Sequence, residues 1–350
     1  MRDDYLWDGT GEPDPEIQKL ESALGKFRHN RPSPEFPEIA LVREWPRLSW
    51  WQELWLGSGP RLVDAAVISA VIAGFIVFWP KALPSAPTGW DVTSVAGTPR
   101  IAGAAISENS GAKDLGLGQV LETDSASKAT INVAETGEIE VDPGTRLRLV
   151  KSGSSLQRVE LQRGTIHATI WAEPGKFVVD TPSAVAVDLG CVYSLHVDDS
   201  GDGLLRTTLG WVGFKLGDRE AFIPAGAVCS TKKKAGPGTP YFEDSSETFR
   251  SALGKFDAPG TTETERSPAL EVVLTQSRPR DSLTLWHLLA RVPASDRGRV
   301  YDRLDQLVPA PAGVTREGIL RLDRQMLDLW WNELGFGDVS LWRHWERSWK

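Results

Sequence analysis

The residue types that usually carry chemistry are few and scattered in this chain. Its five histidines are spread over separate segments, and no metal-binding motif joins them. His167 falls on the opposite strand face from Ile166 and Ile170, which predicts a solvated histidine. Residues 198–203, Asp-Asp-Ser-Gly-Asp-Gly, resemble part of a calcium loop, but the EF-hand spacing is absent, so a hairpin turn is favoured. We therefore expect no catalytic residue, cofactor or metal site, and predict that the protein is not an enzyme.

Composition argues against nucleic acid as a partner. The chain has 350 residues, which is enough for two or three modest domains, and its formal net charge is −8. The one basic cluster is the three lysines at 232–234, too short to neutralise a row of phosphates. We therefore expect no nucleic-acid partner.

Residues 62–79, LVDAAVISAVIAGFIVFW, predict a single transmembrane helix. Eighteen residues at about 1.5 Å each span about 27 Å, close to the hydrocarbon thickness of a bilayer. Asp64 lies near one end of the run and Trp79 lies where an interfacial aromatic residue is expected. A signal peptide would start near residue 1, and a buried core helix would carry a polar stripe.

The charges that flank this run predict its orientation. Arg43, Arg47 and Arg61 precede it, whereas Lys81 and Arg100 follow it at similar distances. The small positive excess favours a cytoplasmic N-terminus. We expect a single-pass protein of the inner (cell) membrane, with its C-terminal region periplasmic or otherwise extracytoplasmic.

Residues 1–61 read as a short cytoplasmic segment with one amphipathic helix. Asp14 is a candidate N-cap and Pro15 suits the first helical position. A second short helix, residues 50–56, either lies in the headgroup region or docks a cytoplasmic partner. The candidate partner-binding residues are the apolar positions that recur at helical spacing in the first helix, namely Ile17, Leu20, Leu24 and Phe27.

Beyond a tether at residues 80–118, residues 119–230 predict a β-domain. Apolar residues alternate with polar ones, as at Ile139 and Val141 or Leu147 and Leu149, and turn residues recur at short intervals. Ten or more short strands with no helix between them indicate a β-sandwich or a solenoid-like stack.

Five short motifs in this region resemble the extracytoplasmic FecR-type domain, in the same order and at similar gaps. They are residues 142–147 (DPGTRL), 159–166 (VELQRGTI), 177–182 (FVVDTP), 210–212 (GWV) and 223–226 (IPAG). Members of that family are single-pass inner-membrane sensors of the anti-sigma type. The resemblance implies signal transduction to a sigma factor or another cytoplasmic regulator, with the outer part reading a signal from an outer-membrane transporter. We also consider an envelope protein or a glycan as the ligand. The alternative is a non-signalling envelope scaffold or binding protein built on the same kind of β-domain.

Cys191 and Cys229 are the only cysteines, and both fall in this β-domain. Cys191 stands where the family pattern has threonine. If the domain is extracytoplasmic, an oxidising compartment favours a Cys191–Cys229 disulfide. The alternative is two buried free cysteines that pack as small apolar residues.

The remaining chain is predicted as a linker over residues 231–280 and a helical bundle over residues 281–350. In the bundle, Asp281, Ser295 and Thr315 each open a helix with apolar residues at helical spacing, and Gly335 ends the third. The tryptophans of the final ten residues either pack back on the bundle or form a binding face. The fold class is therefore a mainly β extracytoplasmic domain, one transmembrane helix and a small C-terminal α-helical bundle.

Overall fold

Residues 90–242, in which apolar and polar side chains alternate, form the strands of the structure. The residues that follow, in which apolar side chains recur at helical spacing, form its helices. The computed structural model describes residues 89–338, except 108–109 and 134, and all of them fall in one compact unit of the chain. The strands in chain order are β1 Trp90–Ala96, β2 Arg100–Ile101, β3 Ala104–Ala105, β4 Lys113–Leu115, β5 Val120–Glu122, β6 Lys128–Asn132, β7 Gly137–Val141, β8 Arg146–Lys151, β9 Gln157–Ile170, β10 Phe177–Asp180, β11 Val185–Asp188, β12 Val192–Val197, β13 Gly203–Leu209, β14 Trp211–Leu216, β15 Arg219–Pro224, β16 Ala227–Lys232, β17 Gly236–Pro237 and β18 Tyr241–Phe242.

These strands form two sheets that share β9. Sheet A has the order β4–β1–β6–β7–β9–β12–β13–β16, with β17 and β18 both paired to β16. Sheet B has the order β3–β2–β5–β8–β9–β10–β11–β14–β15. All of these pairs are antiparallel except β9–β10. Buried side chains from both sheets form one hydrophobic core, which indicates a two-sheet sandwich.

Strand β9 passes from one sheet to the other at Gly164. Its buried positions are Val159 and Leu161 before this residue and Ile166 and Ala168 after it, so the inward parity changes there. Gly164 has φ +94°, and a Cβ would lie 2.3 Å from the Cα of Thr145. Only glycine accommodates this bend without strain. The sequence suggests a turn at Gly164, whereas the structure has one continuous bent strand.

Six helices follow the last strand within the described residues. They are α1 Glu247–Asp257, α2 Glu263–Gln276, α3 Ser282–Leu289, α4 Ala294–Leu307, α5 Arg316–Leu320 and α6 Arg324–Glu333, with a 3₁₀ turn at Pro279–Asp281 before α3. Polar caps set several of their starts: the Ser246 hydroxyl accepts from Phe249 N, and the Asp323 carboxylate accepts from Met326 N. Buried apolar residues from all six helices form a second core.

The helical part differs from the sequence prediction at two places. The linker predicted over residues 231–280 contains the end of β16, strands β17 and β18, and helices α1 and α2. Most of its apolar residues, such as Phe249, Leu253 and Val273, are buried. The spacing of Phe249 and Leu253 predicts a short amphipathic piece, but the polar composition of the rest concealed α2. The long helix predicted from Thr315 is divided into α5 and α6, because Leu322 adopts a left-handed conformation with φ +59°.

The mainly β architecture with additional helices is confirmed. Strands β1–β4 lie in the stretch predicted as a tether, residues 80–118, so the sheets begin earlier than expected. No helix between residues 89 and 338 is long and apolar enough to cross a membrane. The predicted span, residues 62–79, the segment 1–61 and the tail beyond 340 lie outside the described residues.

Candidate functional site

The outer face of sheet A carries an exposed apolar ridge. The register of β9, β12 and β13 places Thr169, Val192 and Leu209 side by side on this face. Leu209 is 64% exposed, and Trp171, two residues beyond Thr169, is 63% exposed. Exposed large apolar side chains that are neighbours in a sheet mark a candidate interaction surface. We call Trp171, Val192 and Leu209 the apolar ridge.

Trp171 is held in place although its ring is exposed. Its Nε1 donates to the carbonyl oxygen of Glu135 at 2.8 Å, and its backbone N donates to Thr136 O at 3.1 Å. A fixed indole loses little conformational entropy when a partner covers it, which is why tryptophan is frequent at binding hot spots. The geometry therefore suits a protein or glycan partner that stacks on this ring.

Acidic side chains border the apolar ridge on one side. Glu138 lies opposite Thr169, and Glu140 lies opposite His167, both on the exposed face of β7. Neither glutamate forms an ion pair within residues 89–338. The ridge and its border would therefore favour a partner with apolar and basic groups.

The two histidines of this face do not form a reactive centre. His167 Nε2 lies 2.9 Å from Asp142 Oδ2, and Asp142 Oδ1 also pairs with Lys128 at 3.0 Å. His196 Nδ1 lies 2.8 Å from the Thr165 hydroxyl. Burial tends to raise the pKa of Asp142, but its hydrogen bonds and charges outweigh that effect and the pKa is lowered. His167 is exposed, as the sequence predicts, and within the described residues no group of ligands could hold a metal ion.

Behind the ridge, Cys191 belongs to a buried polar cluster. Its thiol donates to Asp188 Oδ2 at 2.6 Å, and Gly190 N donates to Asp188 Oδ1 at 2.7 Å. Burial is the main cause that raises the pKa of Asp188 to about 7, partly opposed by these bonds. Burial also raises the pKa of the Cys191 thiol, so the thiolate is disfavoured. The Tyr193 hydroxyl is buried within the described structure without a hydrogen-bond partner.

The predicted Cys191–Cys229 disulfide does not form. Both cysteines are free and buried, and the Cys229 thiol donates to Gly238 O at 3.2 Å. Cys229 lies opposite Leu205 on β13, whereas Cys191 precedes Val192, which pairs with Leu209. The two cysteines are two strands apart across the sheet and about four residues apart along it. Their Cα atoms are therefore about 16 Å apart, well beyond the ~4.4–6.8 Å that a disulfide needs. The sequence places both residues on strands of one domain but does not reveal this register.

Buried polar bonds attach the helices to the sheets along a boundary that we call the seam. His287 of α3 is buried; its Nε2 accepts from Phe222 N of β15 at 3.0 Å, and its Nδ1 donates to Leu283 O at 2.8 Å. These partners require the neutral Nδ1–H tautomer. Burial, followed by the nearby Arg291 charge, lowers the pKa of His287 to about 3. The Thr284 hydroxyl adds a bond to Pro240 O at 2.8 Å.

A second part of the seam is charged. Asp281, only 1% exposed, accepts from the Ser245 hydroxyl at 2.7 Å and from Arg278 Nε at 2.9 Å. Arg278 also pairs with Asp244 at 3.1 Å. At the other end, Trp211 Nε1 donates to Phe336 O, so β14 is tied to the chain beyond α6. Helices and sheets therefore form one continuous structure within the described residues.

The structure brings none of the sequence-predicted site residues together in the part of the chain that it describes. Cys191 and Cys229 are placed apart, and the partner-binding candidates Ile17, Leu20, Leu24 and Phe27 lie outside the described residues. The apolar ridge and the seam were missed. A weak signal existed for the ridge, because Trp171 follows the inward-facing Ile170 at a position of outward parity.

Comparison with known proteins gives one clear similarity. Residues 119–209, which run from the residue before β5 to the end of β13, match the family described as FecR protein. This match confirms the FecR-type resemblance of the β-region. No curated protein matches the chain significantly.

Two solved structures are also similar to part of the chain. They are crystal structures, at 1.65 and 2.50 Å resolution, of a candidate anti-sigma factor from Parabacteroides distasonis ATCC 8503. Each is 14% identical, with a TM-score of 0.32, and the match covers 39% of this chain and 64% of that chain. The chain thus covers less than two thirds of that protein's length.

Proposed function

We propose that the protein is a membrane-anchored regulator of the FecR type. The observation that carries this proposal is the FecR match at residues 119–209, which covers strands β5 to β13 of the two sheets, including β9. In this proposal the sheets and helices of residues 89–338 form the extracytoplasmic sensor. Residues 62–79 cross the inner membrane, and residues 1–61 act on a cytoplasmic partner such as a sigma factor.

The apolar ridge supplies the input surface in this proposal. A fixed Trp171 ring, the exposed Leu209 on the same face and the acidic border are suited to an envelope protein or a glycan. The continuous seam supports a sensor that responds as one body, since the described helices cannot swing freely from the sheets. In this proposal, a signal changes the position of the whole extracytoplasmic part relative to the transmembrane helix.

The output can be tested in the full-length chain. The experiment measures binding of the purified protein to sigma factors of the extracytoplasmic-function class. Leu20→Asp combined with Leu24→Asp should weaken binding at least tenfold, because it places charges on the predicted apolar helix face. Gln18→Asp, off that face, is the matched control and should bind normally. Equal binding by all three proteins would contradict the assigned contact face.

Membrane topology is tested separately. A reporter that works only outside the cytoplasm, fused after residue 86 and ahead of β1, should be active. Activity of a cytoplasm-requiring reporter at the same position would contradict the orientation.

The alternative function is a non-signalling envelope scaffold, favoured by the exposed Trp171 ring alone. Deleting residues 1–61 while keeping the span should abolish regulation but leave scaffolding intact.

A further inference from the structure

A cleft of about 620 Å³ opens along the seam between the sheets and the helices. This volume falls in the range of small-molecule sites, about 300–1,000 Å³. Its walls come from three parts of the fold that are distant in sequence: the start of β15, the end of α3 with the residues after it, and the α5–α6 corner. The wall residues used below are Arg219, Glu220, Trp286, Arg291, Leu322 and Leu327.

Arg291 places a positive charge at the inner wall without a carboxylate in direct contact. Its Nη1 donates to the Thr239 hydroxyl at 3.0 Å and to Pro237 O at 3.3 Å, and its Nη2 donates to Glu220 O at 2.8 Å. All three acceptors are neutral, and no ion pair to Arg291 exists within residues 89–338. Burial lowers the pKa of Arg291 to about 10, which is consistent with a charge lacking a full counter-charge.

Arg219 adds a second guanidinium group to the cleft, and its ion pair with Asp257 is long. Its Nη2 lies 3.4 Å from Asp257 Oδ1, while Asp257 already accepts from Thr239 N at 2.5 Å and from the Thr239 hydroxyl at 3.0 Å. Arg219 Nε also donates to Pro237 O at 2.6 Å. Asp257 contacts Arg219, and its charge acts on Arg291 without a direct contact. The other nearby acid, Glu220, pairs with Lys215 at 2.9 Å.

The opposite wall is apolar and fixed. The Trp286 ring packs edge-on against Trp331 at 4.8 Å between ring centroids, and its Nε1 donates to Leu327 O at 3.0 Å. Leu322 and Leu327 complete this wall. His287 adds no charge, because its hydrogen bonds hold the neutral ring. The cleft thus combines a cationic inner wall with a flat aromatic and aliphatic surface.

We propose that this cleft binds a small organic carboxylate with a ring-sized apolar body. The carboxylate lies against Arg291 and Arg219, where planar guanidinium donors match its two oxygens. The apolar body lies against Trp286, Leu322 and Leu327. The exposed lining residues Asp218 and Arg324 carry opposite charges, and water screens both in part, so Arg219 and Arg291 keep the lining net positive. This site stands independently of the proposed regulatory function.

Such a ligand would contact both sheets and helices. Bound across the seam, it would link β15 to α3 and α6, so that occupancy stabilises the docked arrangement. A bound carboxylate would in this way increase the rigidity of the described part of the protein.

The test is calorimetric titration of the purified full-length chain with benzoate, benzyl alcohol and inorganic phosphate. Benzoate should bind with a Kd of about 0.1–1 mM, as expected for a fragment of its size. Benzyl alcohol keeps the ring without the charge and should bind at least tenfold more weakly. Phosphate keeps the charge without the ring and should also bind at least tenfold more weakly.

Two variants separate the cleft from the general surface. Ala290 is exposed and lines the cleft, so Ala290→Trp should fill it and abolish benzoate binding while thermal unfolding stays close to that of the parent. Ala258→Trp is the matched control, because Ala258 lines a different groove, between α1 and α2, and this change should leave the Kd unchanged. Arg291→Gln should weaken benzoate at least tenfold but not benzyl alcohol.

Several results would overturn the proposal. Absence of saturable benzoate binding would remove the site. Equal binding of benzyl alcohol would show an apolar cavity without carboxylate recognition, and tighter binding of phosphate would show an inorganic-anion site instead. Unchanged benzoate binding in Ala290→Trp would place the binding elsewhere on the protein.

Discussion

The sheet core and the seam are held together by different kinds of interaction. In the sheets, neighbouring strands share ladders of backbone hydrogen bonds, and alternating side chains such as Ile139 and Leu147 fill one core. Along the seam, the bonds are single contacts between side chains and distant backbone groups, such as His287 to Phe222 and Arg291 to Glu220. Each seam bond depends on one side chain, whereas the loss of one strand pair leaves many others.

This contrast predicts where the molecule is vulnerable. A ladder tolerates many surface substitutions, because its backbone bonds do not depend on side-chain identity. At the seam, removal of one side chain leaves a buried donor or acceptor without its partner, which costs about 1–3 kcal/mol. Substitutions at both places therefore test whether sheets and helices unfold together.

Trp331→Ala should have the largest effect. Trp331 belongs to α6 but lies in the sheet core, where it contacts Phe222, Trp286 and Phe336. Removing a buried tryptophan costs about 3–5 kcal/mol. Denaturant titration of this variant should show a single unfolding transition, with its midpoint at a lower denaturant concentration than in the parent. Trp171→Ala, whose ring is 63% exposed, is the control and should cost no more than about 1 kcal/mol. Two separate transitions in the Trp331 variant would contradict cooperative unfolding.

Gly164→Ala should rank second and act on the sheets alone. Positive φ costs an alanine about 1–2 kcal/mol and the contact with Thr145 about 1–3 kcal/mol, so the sum is about 2–5 kcal/mol. Gly217→Ala is matched to it, since Gly217 has φ +58° but nothing within 4 Å of a Cβ. Thermal unfolding should separate the two variants clearly. Equal losses would show that the bend at Gly164 is not sterically demanding.

The sequence predicts the sheets better than the seam for a physical reason. Alternation at Ile139 and Val141 is a local pattern, so burial of the strands could be inferred from adjacent residues. The bond between His287 and Phe222 joins residues 65 apart, and no local pattern reports it. The cysteine pair failed for the same reason, since strand register is a long-range property. The helical spacing of Phe249, Leu253 and Phe256 indicates a short amphipathic piece at α1, whereas the polar residues of α2 concealed that helix. The α5–α6 corner was concealed because its break depends on one left-handed leucine, Leu322.

Acid should weaken the seam through His287. Its folded pKa of about 3 lies below the ordinary value of 6.5, so only the unfolded chain takes up this proton between those values. The free energy of unfolding therefore falls as the pH drops below 6.5, by up to about 1.4 kcal/mol per pH unit from this group. His287→Gln can still accept from Phe222 N but does not titrate.

Denaturant titrations at several pH values between 4 and 7 measure this dependence. His287→Gln should have a smaller loss of stability in acid than the parent. His196→Gln changes a histidine on the exposed face of sheet A and serves as the control, with the parental dependence. A parental pH dependence in His287→Gln would show that the seam histidine is not buried in the neutral form.

Asp188 in the sheet region should have the opposite dependence. Burial raises its pKa from 3.8 to about 7, so the folded protein holds a proton that the unfolded chain releases. This group therefore contributes most stability below pH 4, and that contribution is lost as the pH rises towards 7. Asp188→Asn keeps a neutral group of the same shape. Above pH 7 the variant should be more stable than the parent, and equal stabilities at all pH values would contradict a buried, protonated Asp188.

The smallest effects are expected at the cysteines, because thiols are weak hydrogen-bond donors and neither cysteine carries a cross-link. In Cys191→Ser, the serine hydroxyl replaces the thiol that donates to Asp188 Oδ2 at 2.6 Å. In Cys229→Ser, the hydroxyl replaces the thiol that donates to Gly238 O. Each change should cost about 1 kcal/mol or less, since a small buried side chain is replaced by one of similar size.

Melting temperatures of the parent should be the same in reducing and oxidising buffer. Alkylation should be slow in the folded protein and reach both thiols after unfolding, because both are buried and their pKa values are raised. A Cys191–Cys229 cross-link in mass spectra of the native protein would require the register of β12, β13 and β16 to differ from the one described.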